Sequence, residues 1–361
     1  MRTRDLGPPN LGPMIRFVPG KARIGAEGLL LRCRHACGAL TDRCRIGAAA
    51  ILICIVSLTA ATAGEWPDRP VRIVVPFAAG GAADVIARLF SESLGPVFSQ
   101  QFIVENRAGA GGIVGAQTVA RADPDGYTLM SAGMSSHVLA PAASKNPGYD
   151  PIRDFTHIAF LGGAPSVILV HPSLGLKSFA DLVALVRRST GIEYVSSGTG
   201  TVGNILVEYI ATRERIRLVH VPYRSGNAAI IDLLAGRVKI GSLNWSTARE
   251  HVTAGNLVPI AVSAAKRLPS LPDAPTLSEL GYTDMVTTTW HMLSGPAGLS
   301  REIVGALNRE VAKIVERPDI RRHFEIDAVE TRAMTPAELK EFVRGEVEKW
   351  TPVVQAATKP E

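Results

Sequence analysis

Residues 71–94 read VRIVVPFAAGGAADVIARLFSESL. The first seven, 71–77, are an apolar, β-branched run of strand length. Gly80 and Gly81 break the chain, and ADVIARLFSESL (83–94) then places apolar residues at helical spacing. A strand feeding a helix through a glycine turn is one unit of a parallel sheet with helices on its faces. The pattern continues outward from there. QFIVEN (101–106) predicts a strand, Gly109 to Gly112 a break, IVGAQTVARA (113–122) a helix and YTLMSA (127–132) a strand.

A second series follows. SVILVHP (166–172), IEYVSS (192–197), RLVHVPY (217–223), VKIGSLN (238–244) and LVPIAVSA (257–264) predict strands. Helical patterns over 178–188, 205–212, 228–235 and 247–254 fill the gaps. PSLPDAP (269–275) is a Pro-rich connector, and the chain ends in helical patterns over 301–316, 319–325 and onward from Thr335. Thr335-Pro336-Ala337-Glu338 is a capping box with Pro at the first helical position. Two doubly wound units predict an α/β chain of two lobes, each a mostly parallel sheet flanked by helices. Ligands of such sheets bind where strands end and helices begin, so the expected cleft lies between the lobes. The length of 361 residues suits about two domains, and 46% apolar content excludes a disordered chain.

The formal charge of +6 sits entirely in residues 1–63, which carry nine Lys/Arg and three acids. That leaves 30 of the 39 Lys+Arg and 30 of the 33 Asp+Glu for the other 298 residues. A neutral body has no general attraction to nucleic acid. Within the leader, IGAAAILICIVSLTAATA (46–63) is uncharged, follows Arg43 and Arg45, and ends Ala61-Thr62-Ala63. Those are the parts of a secretory signal with cleavage after Ala63; the alternative is a retained anchor. The basic stretch before it is too long for a signal, so the start codon is expected downstream of Met1. All four cysteines (Cys33, Cys37, Cys44, Cys54) lie in the leader, which excludes thiol chemistry from the exported chain.

Four segments are candidate ligand contacts. Phe77, Ala79, Gly80, Gly81 and Asp84 lie where the first strand meets the first helix, whose amides favour an anion; Asp84 alternatively only complements the helix dipole. Ser197, Gly198, Thr199, Gly200, Thr201 and Asn204 follow another strand. Gly198, Gly200 and Gly203 match G-x-G-x-x-G, the dinucleotide fingerprint. The acid expected some 20 residues on is missing, while Arg224 could meet a ribose phosphate, so an NADP-binding enzyme is a rival reading. Export argues against a nicotinamide cofactor, and the hydroxyls here suit a small carboxylate equally well. Ser135, Ser136 and His137 either line the cleft or form a solvent-exposed turn. Tyr223 and Arg224 end a strand, where Arg224 neutralises an anion or pairs with a surface acid. No G-x-S-x-G or H-E-x-x-H occurs, and S-x-x-K lacks its partner motifs. The seven histidines after the leader show no i,i+4 metal spacing. No catalytic residue, metal or cofactor is expected.

The blocks PDRPVRIVVPFAAGGAADVIAR, VENRAGAGGIVGAQTVARADPDGYTLM, YDPIRDFTHIAFLG, HVPYRSGNAAIIDLLAGRV and AVSAAKRLPSLPDAPTLSELG occur in order across residues 66–361. Together they resemble the Bug-type substrate-binding proteins of tripartite tricarboxylate transporters. The resemblance implies a type II-like periplasmic binding protein of two lobes that close on a small organic carboxylate. It implies lobe 1 over 66–165 plus 285–361, and lobe 2 over 166–284. It further implies that the four segments above line the cleft, and that the chain is a monomer whose partners are the transporter's membrane subunits. A sensor role, docking on a signalling receptor, is the alternative. The chain departs from the family pattern at Val202, Gly203, Asn204, Arg224, Lys239 and Leu243, which leaves the solute open.

Overall fold

The computed structural model describes residues 66–357. The expected signal sequence over 46–63, the leader cysteines and the downstream start lie outside the described residues. Within β1 (Val71–Val75) only Arg72 is not fully buried, as suits a strand covered on both faces. It pairs in parallel with β2 (Phe102–Asn106) and β3 (Thr128–Gly133). β3 pairs antiparallel with β9 (Thr288–Pro296), which pairs antiparallel with β4 (Phe155–Val170). In the other half, β5 (Ile192–Ser196) is parallel to β6 (Leu218–Pro222) and to β7 (Ile240–Asn244). β7 and β8 (Val258–Val262) both pair antiparallel with the end of β4. The order β2-β1-β3-β9-β4 in one half thus recurs as β6-β5-β7-β4-β8 in the other.

β4 departs from the sequence expectation. The pattern starts a strand only at 166, because Gly162, Gly163 and Pro165 read as breakers. The structure runs one 16-residue strand through them and joins both halves into a nine-stranded sheet. Register shifts between His157 and Ala159 and between Phe160 and Gly162 take up the bend that the small residues permit. Up to Pro165 the strand pairs with β9; from Ser166 it pairs with β7 and β8. The chain crosses back beside it. Ser263 donates its N–H to the Ser166 carbonyl (2.9 Å) and accepts the Ser166 N–H on Oγ (2.9 Å). The Thr287 N–H donates to the Ser263 carbonyl at 2.9 Å.

The helices follow the strands as the alternation predicts: α1 (Ala82–Phe98), α2 (Ile113–Ala120), α3 (Phe179–Arg187), α4 (Val202–Glu214), α5 (Gly226–Leu234) and α6 (Trp245–Thr253). Then come α7 (Arg301–Val315), α8 (Pro318–Ile326) and α9 (Pro336–Ala357). α9 opens on the expected capping box: the Glu338 carboxylate accepts the Thr335 N–H at 2.8 Å. α9 lays Leu339, Val343 and Trp350 into a core that also holds Val74 and Met130 of the first half and Tyr194 and Ile240 of the second. One apolar helix face therefore seals against both halves. A second core packs α1 and α7 on the first half, and a third packs α5 and α6 on the second.

After β3 the chain makes a wide π turn, Ser135–Leu139, running into Ala140–Ala143. The solvent-exposed alternative for this segment is excluded. Val138 and Leu139 pull the turn inward, and all five residues are buried. The Ser136 hydroxyl satisfies the Gly133 backbone at 3.1 Å on the way.

Candidate ligand-binding site

A pocket lies where the strand ends of the two halves face each other. It holds about 580 Å³ not filled by protein atoms, part of it open to solvent. Four helices begin at its wall: α1 through Gly81–Ala83, α4 through Thr201–Gly203, α5 through Ser225 and Gly226, and α6 through Asn244. The opening amides of a helix have no intrahelical acceptor. Side-chain caps cover them only in part. Ser225 Oγ accepts from the Ala228 N–H, but Gly81, Thr201 and Asn244 supply no side-chain cap. Strand residues close the deep side: Ser131 of β3, Ser166 of β4, Ser242 of β7, and Thr289 and His291 of β9.

No lining side chain carries a fixed charge. Burial pushes His291 down to about 4, so its imidazole is neutral near pH 7. The positive potential is therefore that of the helix ends, each contributing about 0.3–1 kcal/mol toward an anion and up to ~2 in buried geometry. Hydroxyls and the Asn244 amide complete the polar surface. The Asn244 Oδ1 accepts from Thr289 (2.8 Å) and Ser166 (3.4 Å), which leaves its Nδ2 to donate. Such a cavity suits a small organic anion and holds no constellation for bond-breaking. Among the described residues no group of side chains could hold a metal, and no helix is long and apolar enough to cross a membrane.

Residues 86–358 match the family model described as tripartite tricarboxylate transporter family receptor. This chain belongs to that family. The receptor is 30% identical to protein BugT of Bordetella pertussis over 315 residues, 84% of this chain and 96% of BugT. Among solved structures, a protein of R. palustris with adipate is 32% identical, with TM-score 0.77 over 81% of this chain and 98% of that one. MatC of Rhodopseudomonas palustris, with bound malate, is 28% identical, with TM-score 0.76 over 80% of this chain and 100% of that one. The periplasmic binding protein BugD is 30% identical, with TM-score 0.77 over 81% and 98%. The family is one of periplasmic solute receptors, not of enzymes.

Five of the sixteen residues expected at the receptor's cleft line this pocket: Phe77, Gly81, Ser135, Ser197 and Thr201. The others lie around it. Asp84 is 3% exposed and faces inward. It accepts from the Gly80 N–H (2.9 Å), Asn106 Nδ2 (2.8 Å) and Arg88 Nε (2.9 Å). Burial pushes its carboxyl up, but those bonds and the Arg88 charge outweigh burial and hold it below its usual value. Asp84 therefore shapes the first loop. Asn204 does the same in the second: Oδ1 accepts the Gly200 N–H (2.9 Å), and Nδ2 donates to the Tyr194 hydroxyl (2.7 Å).

Gly80 and Ala79 are exposed at the loop tip, and the Gly80 carbonyl accepts from Asn227 Nδ2 of the opposite half. Gly198, Gly200 and Thr199 form the bend before α4; a Cβ on Gly111 of the first half would stand 2.4 Å from the Thr199 carbonyl. Ser136 bonds the Gly133 backbone, and His137 is buried against Phe155 (4.5 Å between rings). The Tyr223 hydroxyl donates to Asp232. The Arg224 side chain is exposed and makes no ion pair among the described residues, while its carbonyl accepts the Ala78 N–H at 3.3 Å.

Sequence reading placed Ser225 in the strand-end cluster with Tyr223 and Arg224 but did not single out Ser131, Ser166, Gly226, Ser242, Asn244, Thr289 or His291. Most are small or polar residues near strand ends, Ser166 lies within β4, and it is the topology that turns them toward the cleft.

Proposed function

We propose that this receptor captures a small organic carboxylate in the pocket between its halves and delivers it to the membrane subunits of a tripartite tricarboxylate transporter. The observation that carries the reading is a pocket without charged side chains at which four helices begin. A carboxylate placed there accepts main-chain N–H and hydroxyl hydrogen bonds from both halves at once. Lobe 1 (66–165 plus 285–361) and lobe 2 (166–284) close on it as two bodies about the β4 crossing. Moving such a hinge from 1:99 to 99:1 closed needs ~5.5 kcal/mol of differential binding. Two to four hydrogen bonds to a charged group, at ~1.5–3 kcal/mol each, supply it. The leader exports the chain to the periplasm and is then removed.

The solved relatives with adipate and with malate support the ligand class. The test is calorimetry with a panel of small acids on the receptor and on two variants. Gly80 (φ +80°) and Gly198 (φ +133°) adopt backbone that disfavours a side chain. A Cβ on them would lie 3.1 Å from Asn227 Nδ2 and 3.0 Å from the Tyr223 carbonyl. Gly80→Val and Gly198→Val are expected to abolish the heat of binding while a cooperative thermal transition persists. Binding that is unchanged in both variants, or a wild-type receptor that binds no acid, overturns the reading.

A further inference from the structure

The deep side of the pocket presents three polar atoms with no partner in the protein: Ser131 Oγ, Ser242 Oγ and His291 Nε2. Their residues are 1%, 0% and 4% exposed, and they come from three different strands, β3, β7 and β9. All three line this pocket, and no other orphaned buried side chain among the described residues does. Orphaned buried polar atoms are costly and rare, so three in one cavity mark a place where another molecule completes the hydrogen bonds.

We propose that the solute carries, besides its carboxylate, an uncharged hydroxyl or carbonyl group that Ser131, Ser242 and His291 recognise: the substrate class is a short hydroxy- or oxo-monocarboxylate. The inference rests on the carboxylate reading above and adds the other end of the molecule. The chemistry of the three side chains selects this class. A neutral imidazole offers one donor and one acceptor nitrogen, and a serine hydroxyl offers both. Burial keeps His291 in that neutral form. A hydroxyl or carbonyl can engage such a set without bringing charge. A second carboxylate placed against these three atoms would meet strand side chains and a neutral imidazole rather than the opening amides of a helix, with no arginine or lysine in the lining to offset its desolvation. A plain hydrocarbon tail would bury all three atoms unsatisfied, and a site built around a ligand hydroxyl discriminates steeply against analogues that lack it.

The experiment is calorimetry on the exported receptor with acids of four and six carbons. The panel holds the hydroxy and oxo monocarboxylates substituted at each carbon, the unsubstituted monocarboxylates, and succinate and adipate. One hydroxy or oxo acid is expected to bind at least about 100-fold more tightly than its unsubstituted parent and than the dicarboxylate of its length. In Ser131→Ala and in Ser242→Ala the affinity ratio between that acid and its parent is expected to collapse to below about tenfold. His291→Gln tests the third contact. Melting temperatures establish that each variant is folded, and the two alanine variants are mild enough to survive if the histidine variant is not. A dicarboxylate binding most tightly, an absence of preference, or variants that weaken every acid by one common factor each overturn the inference while leaving the carboxylate reading standing. A receptor that binds no acid at all overturns both.

Discussion

Gly203 shows how one missing atom sets the site. A Cβ built on it would stand 2.2 Å from the carbonyl oxygen of Ser242 and 3.0 Å from its carbonyl carbon. α4 can begin against β7 only because that atom is absent, and the Ser242 hydroxyl beside it is one of the pocket's orphaned groups. Gly203→Ala sets backbone against side chain with nothing flexible to give way. It is expected to cost about 1–3 kcal/mol in a denaturant titration. Gly345 is the contrast: it is exposed within α9 with nothing within 4 Å of its missing Cβ. Gly345→Ala is expected to stabilise by about 0.5–1 kcal/mol in the same titration. If both changes act alike, the packing argument fails. The glycines of this loop were visible in the sequence as a motif. Ser131, Ser242 and His291 were not, because a lone hydroxyl or imidazole in a strand reads the same whether it faces a helix or a cavity.

The elements were mostly legible, since strand runs and helical spacing differ in period and glycines punctuate them. What local pattern does not encode is partnership. β4 changes partners halfway along, and the π turn after β3 is buried because of what packs on it. Contacts between elements of opposite halves were likewise invisible. The clearest is Arg249 of α6, whose Nε donates to Asp327 Oδ1 at 2.8 Å just past the end of α8. The side chains are 30% and 11% exposed, so the pair is partly shielded from water. It joins α6, packed on the second half, to the chain just past α8, packed on the first, so under the proposed lobe closure it is expected to help hold the halves together. Asp327→Asn is expected to speed ligand dissociation about fivefold in stopped-flow measurements, equivalent to about 1 kcal/mol. A dissociation rate equal to wild type would show that the pair does not contribute to closure.

Among the described residues, three neutral histidines, His137, His157 and His291, are buried, and a fourth, His220, is half-buried. Burial pushes His157, His220 and His291 down to about 4, with the Lys340 charge adding to the effect on His157. Burial and neighbouring His157 push His137 well below its usual value. In the unfolded chain each imidazole takes up its proton near 6.5. Between about 6.5 and 4 the unfolded state therefore binds more protons, so stability is complete above that window and is lost as pH falls through it. Each group contributes up to about 1.4 kcal/mol per pH unit. Carboxyls held low, such as Asp84, add their own loss at still lower pH. The melting temperature is expected to be level above pH 7 and to drop steeply from 6.5 toward 4.5; a level profile across that range would contradict the burial of these rings.

The uncharged lining of the pocket bears on the surroundings in which such a molecule works. Dissolved ions weaken attraction between exposed, mobile charges more than attraction to amides fixed by a folded backbone in a partly enclosed pocket. An anion held there by peptide groups, as proposed, is therefore expected to lose less affinity to added salt than one held by exposed arginines and lysines.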